Sequence, residues 1–249
     1  MKTAVITGGT RGIGAGIARK FLDTGYKVMI GSRNRAGLAK NENPNLEFFK
    51  MDVRNESDHE DLIKKSLEFF GSVDCYINCA GFSKWSPIHK VDQSFLKDMM
   101  EINLIGTFWG CKVASKNLKP DGSIINISSL AGKRGSANNT VYCATKFAVN
   151  GITQSLSKEL GPKGIRVNAI CPVYVETNDL IQALEETEYS PTKGEDTVNY
   201  LKKFAQTETA LKRLPEDSDV ADLCIFLASD SAKAITGQCI NIDCGVLPQ

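Results

Sequence analysis

The chain has 249 residues, of which 42% are hydrophobic and 24% are charged, and its formal net charge at pH 7 is +1. This length can bury one substantial core, and the near-neutral balance of charge argues against a nucleic-acid or membrane-surface partner. The longest apolar runs, such as Ala169-Ile170-Cys171, have the length of a strand rather than that of a membrane span.

Strand-like and helical patterns alternate along the whole chain. Apolar runs predict strands near residues 2–7, 27–31, 46–50, 73–77, 122–128, 164–170 and 238–242. Helical periodicity predicts helices near residues 12–24, 57–70, 93–117, 140–160 and 218–228. Such alternation requires a parallel sheet covered on both faces, so we expect one domain over residues 1–249 with a three-layer, doubly wound α/β fold and seven parallel strands.

The first strand runs directly into a glycine-rich turn and then into a helix. The turn contains Gly8, Gly12 and Gly14, after which Ile17 and Phe21 continue a helical period. Glycines allow the backbone to turn tightly and to approach a pyrophosphate, which the N-terminus of the helix attracts. The spacing differs from the general G-x-G-x-x-G fingerprint, so on these residues alone a plain tight turn stays open.

The end of the second strand bears on the choice of cofactor. It reads Ser32-Arg33-Asn34-Arg35, and Arg33 lies nineteen residues beyond Gly14. Near this point an acidic residue would accept hydrogen bonds from the adenosine ribose of NAD. The sequence has no acid there, whereas an arginine suits the 2′-phosphate of NADP. We therefore predict NADP(H) rather than NAD(H), with Arg33 as the main contact and Arg11 and Arg35 as helpers.

Three residues in the middle of the chain suit acid–base chemistry. Tyr142 and Lys146 are four residues apart in a predicted helix, so their side chains share one face. A free tyrosine has a pKa of about 10, which an adjacent positive charge lowers. Ser129 ends a predicted strand thirteen residues before Tyr142 and can orient a carbonyl. Taken alone, the Tyr–Lys spacing is more often found on helix surfaces that have no function.

Together these motifs resemble those of the short-chain dehydrogenase/reductase family. The resemblance rests on Thr7-Gly-x-x-x-Gly-x-Gly14, Asn78-Cys-Ala-Gly81, Asn103, Ser129, Tyr142-x-x-x-Lys146 and Thr236-Gly237. It covers nearly the whole chain, in the order and approximate spacing of that family. It implies a Rossmann fold and an NADP(H)-dependent oxidoreductase that transfers hydride between the nicotinamide and a ketone or secondary alcohol.

The resemblance also implies which residues hold the cofactor. The glycine turn would hold the pyrophosphate, and the turns after the third, fourth and sixth strands would meet the adenine, the adenosine ribose and the nicotinamide carboxamide. The cofactor-binding residues implied in this way are Gly8, Thr10, Arg11, Gly12, Ile13, Gly14, Arg33, Asp52, Val53, Asn78, Ala80, Gly81, Tyr142, Lys146, Pro172, Val175 and Thr177. Val173 stands where the family has glycine, and a β-branched residue does not readily take a positive φ, so the backbone path there is open.

The resemblance assigns catalytic roles to four residues. Tyr142 would exchange a proton with the substrate oxygen, and Ser129, rather than Ser128, would orient that oxygen. Lys146 would lower the pKa of Tyr142 and bind the nicotinamide ribose. Asn103 would lie in the middle of a helix and hold a water that links Lys146 to solvent.

The substrate is expected to be a small molecule with a carbonyl or alcohol group. These motifs do not identify which molecule it is. The resemblance implies a pocket walled by residues 82–85, residues 132–139 and Tyr174, with residues 178–212 as a lid. Cationic side chains in this region are either a solvated rim or anchors for a carboxylate, a phosphate or a carrier-bound acyl group. These residues are Lys84, Lys133 and Arg134. A 3-oxoacyl thioester, a sugar or polyol, and another ketone all stay open.

The same motifs also bear on two classes of protein other than an NADP(H)-dependent oxidoreductase. A nucleotide-sensing protein without catalysis would be expected to lose Tyr142, Lys146 or Ser129, and all three are present. A sugar-nucleotide epimerase or dehydratase would carry an additional C-terminal substrate domain. The resemblance further implies a homodimer or homotetramer that forms through the helices near residues 93–117 and 140–160.

Cysteine and histidine usage bears on location and metal binding. The eight cysteines contain no C-x-x-C pair, which is typical of buried, reduced thiols. His59 and His89 have no ligand-like spacing, so no metal site is expected. The first strand begins after a single lysine, which leaves no room for a signal peptide and predicts a cytoplasmic protein.

Overall fold

The computed structural model describes residues 1–35 and 43–248. Within these residues, seven parallel strands form one sheet in the order β3-β2-β1-β4-β5-β6-β7. The strands are β1 (Thr3–Thr7), β2 (Lys27–Ser32), β3 (Leu46–Lys50), β4 (Cys75–Asn78), β5 (Ser123–Ile127), β6 (Arg166–Pro172) and β7 (Cys239–Ile242). The predicted seven-stranded parallel sheet is confirmed, because each strand begins within two residues of its expected position.

Helices cover both faces of the sheet. The helices are α1 (Gly12–Asp23), α2 (Glu56–Phe70), α3 (Gln93–Met100), α4 (Gly106–Asn117), α5 (Thr140–Leu160), α6 (Asn178–Glu185), α7 (Thr197–Glu208) and α8 (Asp217–Ala228). On one face α1 packs against α8, and on the other lie α2, α4 and α5. This is the predicted three-layer, doubly wound α/β fold.

Two apolar cores fill the spaces between the layers. Because successive side chains of a strand point to opposite faces, neighbours on β1 enter different cores. Ile6 packs with Ile17 and Phe21 of α1, whereas Val5 packs with Leu62 of α2. Both faces of the central strands are therefore buried, which explains why they appear in the sequence as continuous apolar runs.

The helix predicted near residues 93–117 is continuous but not uniform. Between α3 and α4 the chain forms a π-helical turn over Glu101–Ile105. Met100 and Gly106 on either side keep right-handed helical angles, so the helix axis continues through the turn. Asn103, which was expected in mid-helix, lies inside this turn and is fully buried. π-Helical turns of this kind are frequent at functional sites.

The segment of residues 178–212, interpreted from the sequence as a lid, contains α6 and α7. It forms a small apolar cluster of its own with the loop that follows β4. Trp85 from that loop packs with Leu184 of α6, with Leu201 and Ala205 of α7 and with Leu214. The segment is thus attached to the loop at the carboxyl end of β4, although its motion as a lid stays a prediction.

All eight cysteines are free thiols, and five of them are buried. Within residues 1–35 and 43–248, no cluster of three histidine, cysteine or acidic residues is arranged to hold a metal ion. In the same part of the chain, no helix combines the length and the apolar character that crossing a membrane requires.

Candidate active site

A cleft of about 700 Å³ lies at the carboxyl ends of the strands. Ligands of open parallel sheets bind at this edge, because the loops after successive strands converge there. The cleft brings together most of the residues singled out in the sequence. They are Gly8, Thr10, Arg11, Ile13, Gly14, Arg33, Asp52, Val53, Ala80, Gly81, Ser129, Tyr142, Lys146, Val175 and Thr177.

Four other predicted residues lie beside the cleft without lining it. Gly12 is the first residue of α1, and Pro172 is the last residue of β6. Asn78 ends β4 and is almost completely buried, while Asn103 lies in the π-helical turn.

The glycine turn after β1 requires glycine for steric reasons. Gly8 has a φ of +73°, and a Cβ added to it would lie 2.7 Å from the Cα of Ala80. A Cβ on Gly14 would lie 2.2 Å from the carbonyl oxygen of Gly8. Thr7 connects the turn to β4, since its hydroxyl accepts hydrogen bonds from the backbone N–H groups of Cys79 at 3.2 Å and Ala80 at 3.3 Å. Backbone therefore packs on backbone at this end of the cleft.

The glycine turn also contacts α6. Arg11 forms an ion pair with Asp179, in which the guanidinium nitrogen and the carboxylate oxygen are 3.3 Å apart. The same carboxylate lies over Gly12, where an added Cβ would be 2.6 Å from its oxygen. The sequence did not single out Asp179, because the contact joins residues that are far apart along the chain.

Arg33 and two hydroxyl groups lie at the end of β2. The hydroxyls of Thr10 and Ser32 are 3.3 Å apart and hydrogen-bond to each other. Both residues and Arg33 line the cleft. The predicted 2′-phosphate contact therefore lies beside hydroxyl donors from two neighbouring turns.

Asp52, predicted to meet the adenine, is held by Arg54. The Arg54 Nε lies 3.0 Å from each carboxylate oxygen, and Nη2 lies 2.6 Å from Oδ2. These hydrogen bonds lower the pKa of the Asp52 carboxyl, so it is ionised at neutral pH. Arg54 also lines the cleft but was missed in the sequence. The sequence feature that could have identified Arg54 is a basic residue two positions after an acidic one in a turn.

Asn78, predicted to shape the wall behind the adenosine ribose, turns toward the interior. Its Nδ2 donates to the Asn126 Oδ1 at 2.9 Å, and Asn126 in turn donates to the Thr153 hydroxyl at 2.9 Å. The Asn78 Oδ1 is buried with no hydrogen-bond partner among the described residues. It lies instead against Gly110, whose missing side chain makes room for it.

Ser128 and Ser129 have different surroundings. The Ser128 hydroxyl donates to the Lys146 carbonyl at 3.2 Å and is buried against α5. The Ser129 hydroxyl accepts from the Ala131 N–H at 3.1 Å and donates to the Pro172 carbonyl at 3.5 Å. Ser129 is also close enough to the Tyr142 phenol to lower the pKa of that group.

Burial dominates the titration of Tyr142 and Lys146. It raises the pKa of Tyr142 to about 12, and the Ser129 hydroxyl offsets this only in part. It lowers the pKa of Lys146 to about 8. The Lys146 Nζ lies 5.6 Å from the centre of the Tyr142 ring and donates to the Ile127 carbonyl at 2.9 Å. Burial thus raises the pKa of Tyr142 overall, and the effect of Lys146 on it stays a prediction.

Asn103 joins the π-helical turn to the loop after β4. Its Nδ2 donates to the Phe82 carbonyl at 2.8 Å, and its Oδ1 accepts from the Phe82 N–H at 3.0 Å. A Cβ added to Gly81 would lie 3.1 Å from that Oδ1 and 3.7 Å from the Lys146 Nζ. Asn103 thus fixes the backbone that separates it from Lys146.

Aromatic side chains and one cation surround the opposite end of the cleft. Trp85, Tyr174 and Phe204 line it, and the rings of Tyr174 and Phe204 meet edge to face with centres 4.9 Å apart. Of the three cations proposed as anchors, Lys84 pairs with Glu186 at 2.8 Å, whereas Arg134 lines the cleft. Lys133 is not part of the lining.

The backbone at Val173, which the sequence left open, does not take a positive φ. The Val173 N–H donates to the Ile242 carbonyl of β7 at 3.1 Å, and the chain bends at Val173 directly after β6. A β-branched residue is therefore accommodated without strain. Val175 and Thr177 still reach the cleft.

Comparisons with known proteins match the whole chain. A family model described as Enoyl-(Acyl carrier protein) reductase matches residues 8–247. A diacetyl reductase from Staphylococcus epidermidis that forms (S)-acetoin is 35% identical, and the match covers 99% of this chain and 98% of that protein. A 3-oxoacyl-acyl-carrier-protein reductase from the same organism is 34% identical, with 98% of each chain covered.

A solved structure is similar over the same length. A protein from Brucella melitensis, described as a short-chain dehydrogenase/reductase of the glucose/ribitol dehydrogenase type, superposes with a TM-score of 0.89 at 31% sequence identity. The match covers 100% of this chain and 97% of that chain. The similarity therefore extends through the sheet, both helical layers and the segment that contains α6 and α7.

Proposed function

The chain belongs to the short-chain dehydrogenase/reductase family, and we propose that it is an NADP(H)-dependent oxidoreductase acting on a ketone or secondary alcohol. Members of this family are oxidoreductases that act on alcohol or ketone groups with a nicotinamide cofactor. The observation that carries the proposal is that Ser129, Tyr142 and Lys146 meet the glycine turn in one cleft.

The residues of the cleft fit a nicotinamide dinucleotide. Close backbone packing at Gly8 and Gly14 leaves the N-terminus of α1 open to a pyrophosphate. When bound, the nicotinamide supplies or accepts the hydride, which no side chain here can do. Lys146 would bind the nicotinamide ribose. Thr177 accepts from the Leu180 N–H at 3.3 Å, so its own hydroxyl proton stays available for the carboxamide.

Arg33 supports NADP(H) rather than NAD(H). It lines the cleft at the end of β2, where an NAD-specific site has an acid that binds the ribose hydroxyls. A guanidinium instead forms charge-assisted hydrogen bonds with a phosphate. Of the Ser32 and Thr10 hydroxyls next to it, which hydrogen-bond to each other, the one that accepts would donate its proton to the same group.

Tyr142 would act as the general acid in carbonyl reduction. A phenol with a pKa of about 12 is protonated at neutral pH and can donate its proton to the substrate oxygen. The Ser129 hydroxyl, beside that phenol, would turn from the Pro172 carbonyl to donate a second hydrogen bond to the same oxygen and hold it in line. The Lys146 ammonium would stabilise the phenolate that forms, because its Nζ lies over the Tyr142 ring, 5.6 Å from the ring centre.

Asn103 would hold the proposed relay water through an oxygen that already has a partner. A carbonyl oxygen can accept two hydrogen bonds, and the Asn103 Oδ1 accepts one from the Phe82 N–H. A water on the remaining lone pair would lie near Lys146, because Gly81, which has no side chain, is close to both the Asn103 Oδ1 and the Lys146 Nζ. Proton return to Tyr142 would then pass through Lys146.

A second candidate function is the reduction of a 3-oxoacyl thioester. Arg134 favours it, because this cation lines the substrate end of the cleft and suits the phosphate of a carrier. The aromatic wall of Trp85, Tyr174 and Phe204 favours a small, largely apolar ketone instead. Sugars and polyols stay open as substrates, because Ser136, Asn139 and Gln182 also line the cleft.

The first experiment is a panel of carbonyl substrates with NADPH and NADH. Diacetyl, acetoin and a 3-oxoacyl thioester separate the two candidates, and consumption of reduced cofactor is followed by absorbance. Reduction of at least one ketone with NADPH is expected. A protein that binds NADPH but reduces none of these compounds would instead support a nucleotide sensor.

The second experiment tests the role of Tyr142. Tyr142→Phe should fold and bind NADPH, but lose about 100- to 10,000-fold in kcat, the usual contribution of a general acid. Tyr189→Phe is the matched control, because it removes a hydroxyl that does not line the cleft. Near-normal turnover by Tyr142→Phe would contradict the proposed mechanism.

A further inference from the structure

The turn after β3 holds an acidic and a basic residue at the adenosine end of the cleft. Asp52 and Arg54 both line it, and their side chains are 25% and 41% exposed. The guanidinium uses Nε and Nη2 to hold the carboxylate, and the Arg54 backbone N–H donates to Asp52 Oδ1 at 3.1 Å. The turn therefore presents Asp52 already neutralised rather than as a free carboxylate.

The turn itself is fixed from behind by α2. The Asp52 N–H donates to the Asp58 carboxylate at 2.7 Å. The Val53 carbonyl accepts from the fully buried His59 Nε2 at 2.9 Å, while His59 Nδ1 accepts from the Tyr76 hydroxyl at 2.8 Å. Because both backbone groups are held, the Asp52 and Arg54 side chains cannot leave the cleft by movement of the turn alone.

Two arginines and three carboxylates act on one another around this turn. Arg33 and Arg54 both stabilise the Asp52 carboxylate, and Asp98 and Glu101 act on Arg54 from the neighbouring helix. Without Arg54, Asp52 would carry an unmasked negative charge at the adenosine end of the cleft, close enough to act on Arg33, which the proposed function pairs with the 2′-phosphate. A free carboxylate within that range repels a phosphate.

We propose that Arg54 is a cofactor-specificity residue that masks Asp52 and donates to the 2′-phosphate of NADP(H). The inference rests on the proposed function and adds a second arginine to Arg33. A guanidinium has five N–H donors, and Asp52 occupies the Nε and Nη2 side, so Nη1 is left for a phosphate oxygen. Arg54 thus favours the phosphorylated ribose in two ways, by attraction and by removing a competing acid.

Equilibrium binding tests this inference without any substrate. Fluorescence titration gives Kd for NADPH and NADH, and calorimetry compares 2′,5′-ADP with 5′-ADP. Arg54→Gln should weaken NADPH and 2′,5′-ADP by about 10- to 100-fold, the range for one charge-assisted hydrogen bond. It should leave the Kd for NADH unchanged or lower it. Adding Asp52→Asn to Arg54→Gln should restore part of the NADPH affinity, because the unmasked charge is gone.

The matched control is Arg213→Gln. Arg213 holds Asp219 at 2.7 and 3.2 Å with comparable exposure, but lies outside the cleft, so its loss should change neither Kd. Equal weakening of NADPH and NADH by Arg54→Gln would mean a structural role and would overturn the inference, as would no change in either. If Arg33→Gln abolishes the preference for NADPH while Arg54→Gln does not, the role of Arg54 is refuted and the proposed function stands. If the unmodified protein binds NADPH and NADH equally, both the role of Arg54 and the proposed NADP(H) function are refuted.

Discussion

Replacing Gly110 by alanine should destabilise the protein even though alanine favours a helix. An ideal Cβ on Gly110 would lie 2.0 Å from the Asn78 Oδ1 and 3.0 Å from the Tyr76 Cε1, whereas a carbon and an oxygen in contact are normally about 3.3 Å apart. The Asn78 carboxamide must then rotate and lose its hydrogen bond to Asn126. Overpacking costs about 1–3 kcal/mol, and a buried group left unpaired costs about 1–3 kcal/mol more.

The expected loss is therefore about 2–6 kcal/mol, which lowers Tm by about 4–24 °C in a chain of this size. Thermal unfolding followed by circular dichroism at fixed protein concentration measures it. Gly161→Ala at the end of α5 is the control, because the space around Gly161 is open and its backbone has right-handed helical angles, so alanine there should not destabilise. Adding Asn78→Ala to Gly110→Ala should recover part of the loss. If Gly110→Ala is as stable as Gly161→Ala, the packing of Asn78 against α4 is refuted.

Three further predictions concern titration and assembly. The pKa of Lys146 is lowered to about 8, so kcat/KM for ketone reduction should fall as pH rises through that value. Lys146→Arg should flatten this fall. A wild-type profile that is level to about pH 10 would contradict the prediction. Burial lowers the pKa of His59 from 6.5, so the unfolded state takes up its proton first and the free energy of unfolding should decrease as pH falls below about 6.5. Denaturation of His59→Gln should show a weaker pH dependence over that range. Phe108 and Phe147 are 46% and 48% exposed on α4 and α5, and we expect a homodimer or homotetramer to cover them; a monomer by light scattering would exclude it.

Local sequence determines most of what was predicted correctly. A buried parallel strand is a continuous apolar run, and a helix repeats its apolar residues every three to four positions, so the order of elements can be derived from the sequence. The cleft was predictable for a related reason. Gly8 and Arg33 follow directly after a strand, and Ser129 is the second residue after one; in a parallel sheet all such positions meet at one edge.

The features that were missed depend on contacts between distant segments. The π-helical turn at Glu101–Ile105 carries no periodic signal, and its Asn103 is held by the backbone of Phe82, which precedes it by twenty-one positions. Asn78 turns inward because Gly110 leaves space for it, thirty-two positions later in the chain. Neither contact could be derived before the sheet had placed β4 beside α4.

The altered pKa of Tyr142 changes how its chemistry is to be understood. The spacing of Tyr142 and Lys146 in the sequence pairs a phenol with an ammonium, and an ammonium nearby makes a phenol more acidic. Burial disfavours the charged form of each group. It therefore raises the pKa of the Tyr142 phenol, which keeps its proton more firmly, and lowers the pKa of the Lys146 ammonium, which gives its proton up more readily. At neutral pH the site therefore presents a protonated Tyr142, which is the form that donates to a carbonyl. We accordingly expect ketone reduction to be the favoured direction near neutral pH, with alcohol oxidation requiring more alkaline conditions to remove the phenolic proton.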